Sequence, residues 1–287
     1  MPALEVLALL AAASFLAGVA GSFLGIGGGV FLIPFMTLVL GVPLHVAIAV
    51  SLVGVIATSS GAASVYVRDR LTNLRLGMFL EIATTVGALT GAFVAVYVDA
   101  RALFVTFAIV VFYAAVHMAR TKEETAKERA YRTAPEPRVA RRLGLGSVYY
   151  DQEDGAVYRY RVDRPWAGFG VSAVAGAMSG LLGLGGGFVK VPAMNQLMRV
   201  PMKSAVATSN FMIGVTAAAS AFVYYSRNLL DPALASMVVI GVFTGTHIGT
   251  RLMMRSRPQR VRLVFAGFLA VLAILMGLRA FFPGVIL

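Results

Sequence analysis

The sequence predicts an all-α, multi-pass membrane protein made of two inverted repeats. Each repeat has about five membrane segments, one of them Gly-rich and discontinuous. Three observations carry this reading. Of 287 residues, 59% are hydrophobic and 13% charged, and mean hydropathy is +0.81. A water-soluble chain of this length needs far more polar surface. Apolar runs of about 18 residues or more recur, long enough to span a bilayer core. The two ends of the chain also repeat each other at one fixed offset.

The apolar segments are 3–24, 29–40, 44–67, 75–98 and 102–119, then 166–183, 188–199, 202–225, 232–252 and 260–281. The first contains Glu5 and lacks a basic leading region, so it reads as a membrane helix rather than a cleaved signal. Residues 1–119 form the first membrane repeat and 166–287 the second. Between them, 120–165 is a charged loop with 11 basic and 8 acidic residues. Its start, RTKEETAKERAYR, extends the fifth segment as a helix with charges spaced for i,i+4 pairing. Its end, VYYDQEDGAVYRYRV, alternates around a turn-forming EDG and reads as a β-hairpin. The loop is a solvated linker, with a regulatory or partner-binding role as the alternative.

GSFLGIGGGVFLIPFM (21–36) aligns with SGLLGLGGGFVKVPAM (179–194), each residue meeting its counterpart 158 positions later. The same offset pairs Pro34 with Pro192, Pro43 with Pro201, Ser51 with Ser209 and Asn73 with Asp231. It also pairs Gly87 and Gly91 with Gly245 and Gly249. An odd number of crossings per repeat inverts the second copy. With the central loop in the cytoplasm, every Lys and Arg falls inside except Arg101, Arg227, Arg279 and the intramembrane Lys190. This places both termini outside, in the cytoplasmic membrane.

Segments 29–40 and 188–199 are too short to cross. Twelve helical residues cover roughly 18 Å of a core of about 30 Å. The preceding glycines supply the rest as unwound chain, which a membrane tolerates only where it is buried in protein or lines a wet cavity. Paired interrupted segments in two inverted halves mark a transporter binding site. Their N–H groups and positive dipole ends suit an anion, and glycine allows close approach. Gly27, Gly28, Gly29, Gly185, Gly186 and Gly187 are therefore candidate substrate-binding residues. The alternative is that the glycines only permit tight helix packing. GLGGGF lacks the third glycine of a dinucleotide fingerprint, and the chain has no Walker GK[ST].

Lys190 lies about 14 Å inside Arg199, near the bilayer middle. An intramembrane lysine points to function, here anion binding. The alternatives are a buried pair with Glu81 or a tilt that returns it to water. Its counterpart is Leu32, so the repeat does not require the charge. Thr208, Ser209 and Asn210 stand where the first half has Val50, Ser51 and Leu52. Ser51, Ser209 and Asn210 join the candidate site, Asn210 most strongly, because Ser and Thr often bond back to their own helix. Glu81 and His247 are the candidate coupling residues, each with a structural alternative.

Other classes fit poorly. The net charge of +12 lies in loops beside apolar segments, which suits topology and headgroup contact rather than nucleic acid. There is no cysteine, and His45, His117 and His247 lack zinc-ligand spacing, so neither metal nor cofactor is expected. GAMSG (176–180) has Ala177 where a GxSG serine motif needs glycine, so no enzyme is expected. The expected partners are a small anion and the bilayer, with a homo-oligomer allowed.

The boxes Gly25-Ile-Gly-Gly-Gly-Val-Phe-Leu-Ile-Pro34 and Gly183-Leu-Gly-Gly-Gly-Phe-Val-Lys-Val-Pro192 resemble the paired motifs of the sulfite exporter TauE/SafE-like family of membrane transporters. The following AxAxS (Ala47, Ala49, Ser51) and AxATSN (Ala205, Ala207 to Asn210) stretches extend the resemblance over nearly all of both halves. It implies secondary transport of sulfite, organosulfonates or related small anions across the cytoplasmic membrane. The charged loop is larger than the family leads one to expect. An anion channel or a non-transporting sensor is the alternative function.

Overall fold

The computed structural model describes residues 3–120, 137–151, 155–255 and 258–282. The first group of helices is α1 (Ala3–Leu24), α2 (Gly29–Pro34), α3 (Leu44–Arg68), α4 (Leu74–Ala95) and α5 (Ala100–Arg120). A short α6 (Arg138–Arg142) and strands β1 (Ser147–Asp151) and β2 (Ala156–Tyr160) follow. The second group is α7 (Pro165–Leu182), α8 (Gly187–Pro192), α9 (Met202–Ser226), α10 (Pro232–Arg255) and α11 (Pro258–Phe281). Among the described residues, α3, α4, α5, α7, α9 and α10 are each long and apolar enough to cross a bilayer. The protein is a multi-pass membrane protein. The helical extension expected for RTKEETAKERAYR lies almost wholly outside the described residues.

Local chemistry sets the element boundaries. Pro34 and Pro192 cannot donate to the carbonyl four residues back. Each ends its short helix, and a π-helical turn follows, Phe35–Val39 and Ala193–Leu197. α3 and α9 each start directly after a proline, Pro43 and Pro201. They end where the N–H groups of Leu71 and Leu229 return to the carbonyls of Tyr66 and Tyr224. Asn73 caps α4, its side chain accepting the Leu76 N–H at 3.1 Å.

Small residues decide which helices pair. A Cβ on Gly87 or Gly91 of α4 would sit 2.1 or 2.0 Å from the carbonyl oxygen of Ala173 or Ala177 on α7. On the other side of the molecule, a Cβ on Gly245 of α10 would sit 2.1 Å from the Phe15 oxygen on α1. Backbones approach this closely only through glycine. α4 therefore packs on α7 and α1 on α10, while α5 packs on α11 and α3 on α9 at the centre.

Every one of these pairs joins one helix from each end of the chain. The result is two mixed bundles, α1–α2–α3 with α10 and α7–α8–α9 with α4, which meet along α3 and α9.

The central segment docks on one end of the second bundle. β1 and β2 pair antiparallel, Ser147 opposite Tyr160 and Asp151 opposite Ala156. Tyr149, Tyr158 and Tyr160 face inward and are buried. The Tyr160 hydroxyl accepts from Asn73 Nδ2 at 3.1 Å and lies 2.7 Å from Ser204 Oγ, tying together the starts of α4 and α9. Burial pushes the Tyr160 hydroxyl above its ordinary pKa of 10.0, outweighing the opposing hydrogen bonds. The hydroxyl's contribution to docking is therefore full below pH 10 and declines as pH climbs above it.

Tyr160→Phe removes the shared hydroxyl, at a cost of about 1–2 kcal/mol. Trypsin should then cut at Arg159 and Arg161 roughly 5–30 times faster in the docked protein. Unchanged cleavage would show that the hydroxyl does not hold the hairpin.

Candidate functional site

The two glycine boxes lie back to back where the bundles meet. Gly28 and Gly186 hold left-handed conformations, φ 77° and 72°, and each turns the chain into its short helix. The opposite box occupies the space a side chain would need. A Cβ on Gly29 would fall 2.3 Å from the Gly183 oxygen, and one on Gly187 would fall 1.9 Å from the Gly25 oxygen. Val55 and Ile213, one from each central helix, both pack against Gly27 and Gly185. Among the described residues the boxes are in contact, with no space between them for a ligand.

Side chains exchanged across this contact hold it together. The Ser209 hydroxyl donates to the Gly25 carbonyl at 2.8 Å, and Ser51, whose shorter acceptor is the Ile48 carbonyl of its own helix at 2.8 Å, reaches the Gly183 carbonyl at 3.2 Å. Tyr66 donates to the Ser22 carbonyl and Tyr224 to the Gly180 carbonyl, both at 3.0 Å. Asn210 donates its amide to the carbonyls of Ser22 and Val206, while its buried Oδ1 has no partner among the described residues. Ser59 of α3 donates to the Asn210 carbonyl. Ser51, Ser209 and Asn210 thus lie at the boxes, and their donors serve backbone carbonyls there.

A second cluster lies wholly inside the α7–α8–α9–α4 bundle. Lys190, one turn into α8, is completely buried. Its Nζ donates to Thr216 Oγ1 on α9 at 2.9 Å. Thr216 in turn donates to Glu81 Oε1 on α4 at 2.7 Å, with the Met212 carbonyl at 3.1 Å as its alternative acceptor. Thr85 also donates to Oε1 at 3.0 Å, and Thr84 donates to Oε2 at 2.8 Å. Three hydroxyls pointed at one carboxyl match the acceptor-only form, a carboxylate. Lys190 has three N–H donors and one acceptor among the described residues.

The sequence alternative of a Lys190–Glu81 pair thus takes shape through Thr216, which sequence reasoning missed. Thr216 is the 158-offset counterpart of Thr58, and that identity was available as a signal. At the equivalent place in the other bundle stand Leu32, Thr58 and Val239, and Thr58 donates to the Gly54 carbonyl of its own helix.

His247 lies elsewhere. It is on the exposed face of α10, its ring 5.4 Å from that of Phe243, so the structure separates the two coupling candidates. A small cavity of about 50 Å³ runs between the ends of α5 and α9 and reaches Gly187 and Ile26, with Lys203 and His117 among its lining residues. Among the described residues no three His, Cys, Asp or Glu side chains come together as a metal site.

The family model for the sulfite exporter TauE/SafE matches residues 10–276. The chain is 24% identical over 284 residues to "Probable membrane transporter protein YunE" of Bacillus subtilis (strain 168), covering 96% of this chain and 98% of that protein. It is 26% identical over 241 residues to a "Probable membrane transporter protein" of Xylella fastidiosa (strain 9a5c), covering 84% and 82%. It is 23% identical over 288 residues to "Probable membrane transporter protein MJ0441" of Methanocaldococcus jannaschii, covering 95% and 96%. No solved structure matches it. These names describe membrane transporters and not enzymes. Motif pair, helical architecture and full-length match converge: this chain belongs to the sulfite exporter TauE/SafE family of membrane transporters.

Proposed function

We propose that the protein is a secondary transporter that moves a small sulfur oxyanion, such as sulfite or an organosulfonate, across the cytoplasmic membrane by alternating access. The observation that carries this is Lys190, a fully buried cation beside a glycine box with donors to spare. A buried charge is costly unless it serves a partner or a ligand. The N–H groups of Gly27–Gly29 and Gly185–Gly187 complete the anion site, with Ser51, Ser209 and Asn210 beside them. Contact between the boxes supports a gated site over an open channel.

The inverted repeat is supported by chain direction. α3 ends and α4 begins near the hairpin, where the Asn73 N–H donates to Thr208 Oγ1 near the start of α9. Counterparts α3 and α9 therefore run opposite ways. The distribution of arginines and lysines puts the hairpin side, and with it the central loop, in the cytoplasm. The moving bodies are the two mixed bundles, not the two halves of the sequence, because the halves interleave.

Uptake of labelled sulfite, sulfate and ethanesulfonate into proteoliposomes tests this. The wild type should show saturable uptake of a monovalent sulfur oxyanion. Lys190→Ala should lower kcat/KM by about 10–100-fold, the loss of a charge-assisted contact. Unchanged kinetics for every transported anion would remove Lys190 from the site.

A further inference from the structure

We infer that Lys190, Thr216 and Glu81 form a charge-compensated relay that couples one proton to each transported monovalent anion. This rests on the reading that the anion meets Lys190. With both groups ionised, the relay is neutral and enclosed. The Lys190 ammonium is completely buried, and Glu81 is 8% exposed with three hydroxyls donating to its carboxylate. An anion arriving at Lys190 while Glu81 stays ionised leaves one uncompensated negative charge in a buried site. Repulsion between two such charges some 5–6 Å apart weakens binding on the order of a hundredfold. The charge balances when a proton arrives with the anion. The Glu81 carboxylate takes up H⁺ and becomes a neutral carboxylic acid, and the Lys190 ammonium pairs with the anion. Net charge is zero before and after.

Thr216 allows the exchange. Its single hydroxyl proton has two acceptors in reach, Glu81 Oε1 at 2.7 Å and the Met212 carbonyl at 3.1 Å. When Glu81 is neutral and no longer needs this donor, the hydroxyl turns to Met212, as Thr58 already bonds its own helix in the other bundle. The link between Lys190 and Glu81 then opens, and Lys190 is released to the anion. On the other side of the membrane the anion leaves, Glu81 gives up its proton and Thr216 turns back.

Among the described residues, no other charged group faces Glu81 from the helices packed on α4. α7 has no titratable side chain between Pro165 and Leu182. On α9 the titratable groups are Lys203 in the first turn and Tyr224 and Tyr225 in the last, at least two turns from Thr216. α8 contributes Lys190 alone. A relay with one positive and one negative group fits a monoanion. A dianion such as sulfate would leave a negative charge uncompensated even after one proton is taken up.

Ethanesulfonate is the right probe because it stays monovalent across the working pH range. In proteoliposomes with a trapped pH dye, wild-type uptake of labelled ethanesulfonate should carry one proton per anion. It should rise at least tenfold with an acid-outside gradient and ignore a voltage set by potassium and valinomycin. Glu81→Gln should still exchange labelled for unlabelled ethanesulfonate but lose all response to the pH gradient. Thr216→Val should lower uptake and weaken the response of what remains to the pH gradient. Lys190→Met with Glu81→Gln, which removes both charges together, should reach the membrane folded and bind no anion.

Wild-type uptake without proton movement, or Glu81→Gln uptake still driven by the gradient, would overturn the relay while leaving the transporter reading intact. Should the wild type move none of ethanesulfonate, sulfite and sulfate, the transporter reading fails, and the relay with it.

Discussion

Gly187→Ala is expected to cost the protein its transport activity and most of its folded yield, whereas Gly170→Ala should leave both at wild-type levels. The added atom is the same methyl in each case, and its surroundings decide the outcome. At Gly187 it lands 1.9 Å from the Gly25 oxygen, 2.8 Å from the Gly25 carbonyl carbon and 2.7 Å from the Ile26 Cα. All three are backbone atoms of the opposite box, held by Ser209 and by the packing of Val55 and Ile213. A side chain can rotate away from an intruder, but a backbone clamped on both sides cannot. Overpacking of this kind costs about 1–3 kcal/mol where neighbours can relax, and more where they cannot. At Gly170 of α7 nothing lies within 4 Å, and alanine is the better helix former by about 1 kcal/mol. Equal yield and transport from both variants, measured by size-exclusion profile and uptake, would show that the boxes are loosely packed.

The fold was legible where the signal is local or periodic. Pro34 and Pro192 lie inside the expected segments 29–40 and 188–199, and the structure changes from α-helix to a π-helical turn at each, because the proline supplies no N–H. Glycine runs mark breaks for a local reason, and the observed helices start and stop within about three residues of the expected segments once the π-helical turns to Val39 and Leu197 are counted with α2 and α8. Lys190 stood out because any lysine that far from an interface is costly. Its partner was less visible. Glu81 comes from α4 in the first repeat, and tertiary packing alone brings it to α8. Thr216 was hidden by a sound general rule, that threonine in a membrane helix bonds its own backbone. Thr58 follows the rule, while Thr216 departs from it because a carboxylate stands opposite. His247 could be placed off the glycine face of α10 from spacing alone, but spacing did not show that its face is exposed. Nor does a repeat reveal which helices pack together. Close approach through Gly87, Gly91 and Gly245 interleaves the halves, so the bundles that pack together differ from the units that repeat.

The central claim is that the α1–α2–α3–α10 bundle must move against the α4–α7–α8–α9 bundle, with α3 sliding on α9 at the glycine boxes. Ser59 on α3 and Gly214 on α9 offer a direct test. A Cβ built on Gly214 lies 3.2 Å from the Ser59 Cβ, a few tenths of an ångström inside the usual disulfide range of about 3.5–4.5 Å. The chain has no cysteine of its own, so in the Ser59→Cys, Gly214→Cys double variant any disulfide within one molecule is the intended one. Neither substitution contacts Lys190, Thr216 or Glu81, but Ser59→Cys removes the donor to the Asn210 carbonyl and a Cβ on Gly214 falls 2.6 Å from Ser59 Oγ, so the reduced double variant and each single variant set the reference rate. In the double variant, uptake of labelled ethanesulfonate should stop on oxidation and return on reduction, because the bond ties one bundle to the other across the face where the proposed movement takes place. Uptake by the fully oxidised protein at the rate of the reduced protein would contradict the account.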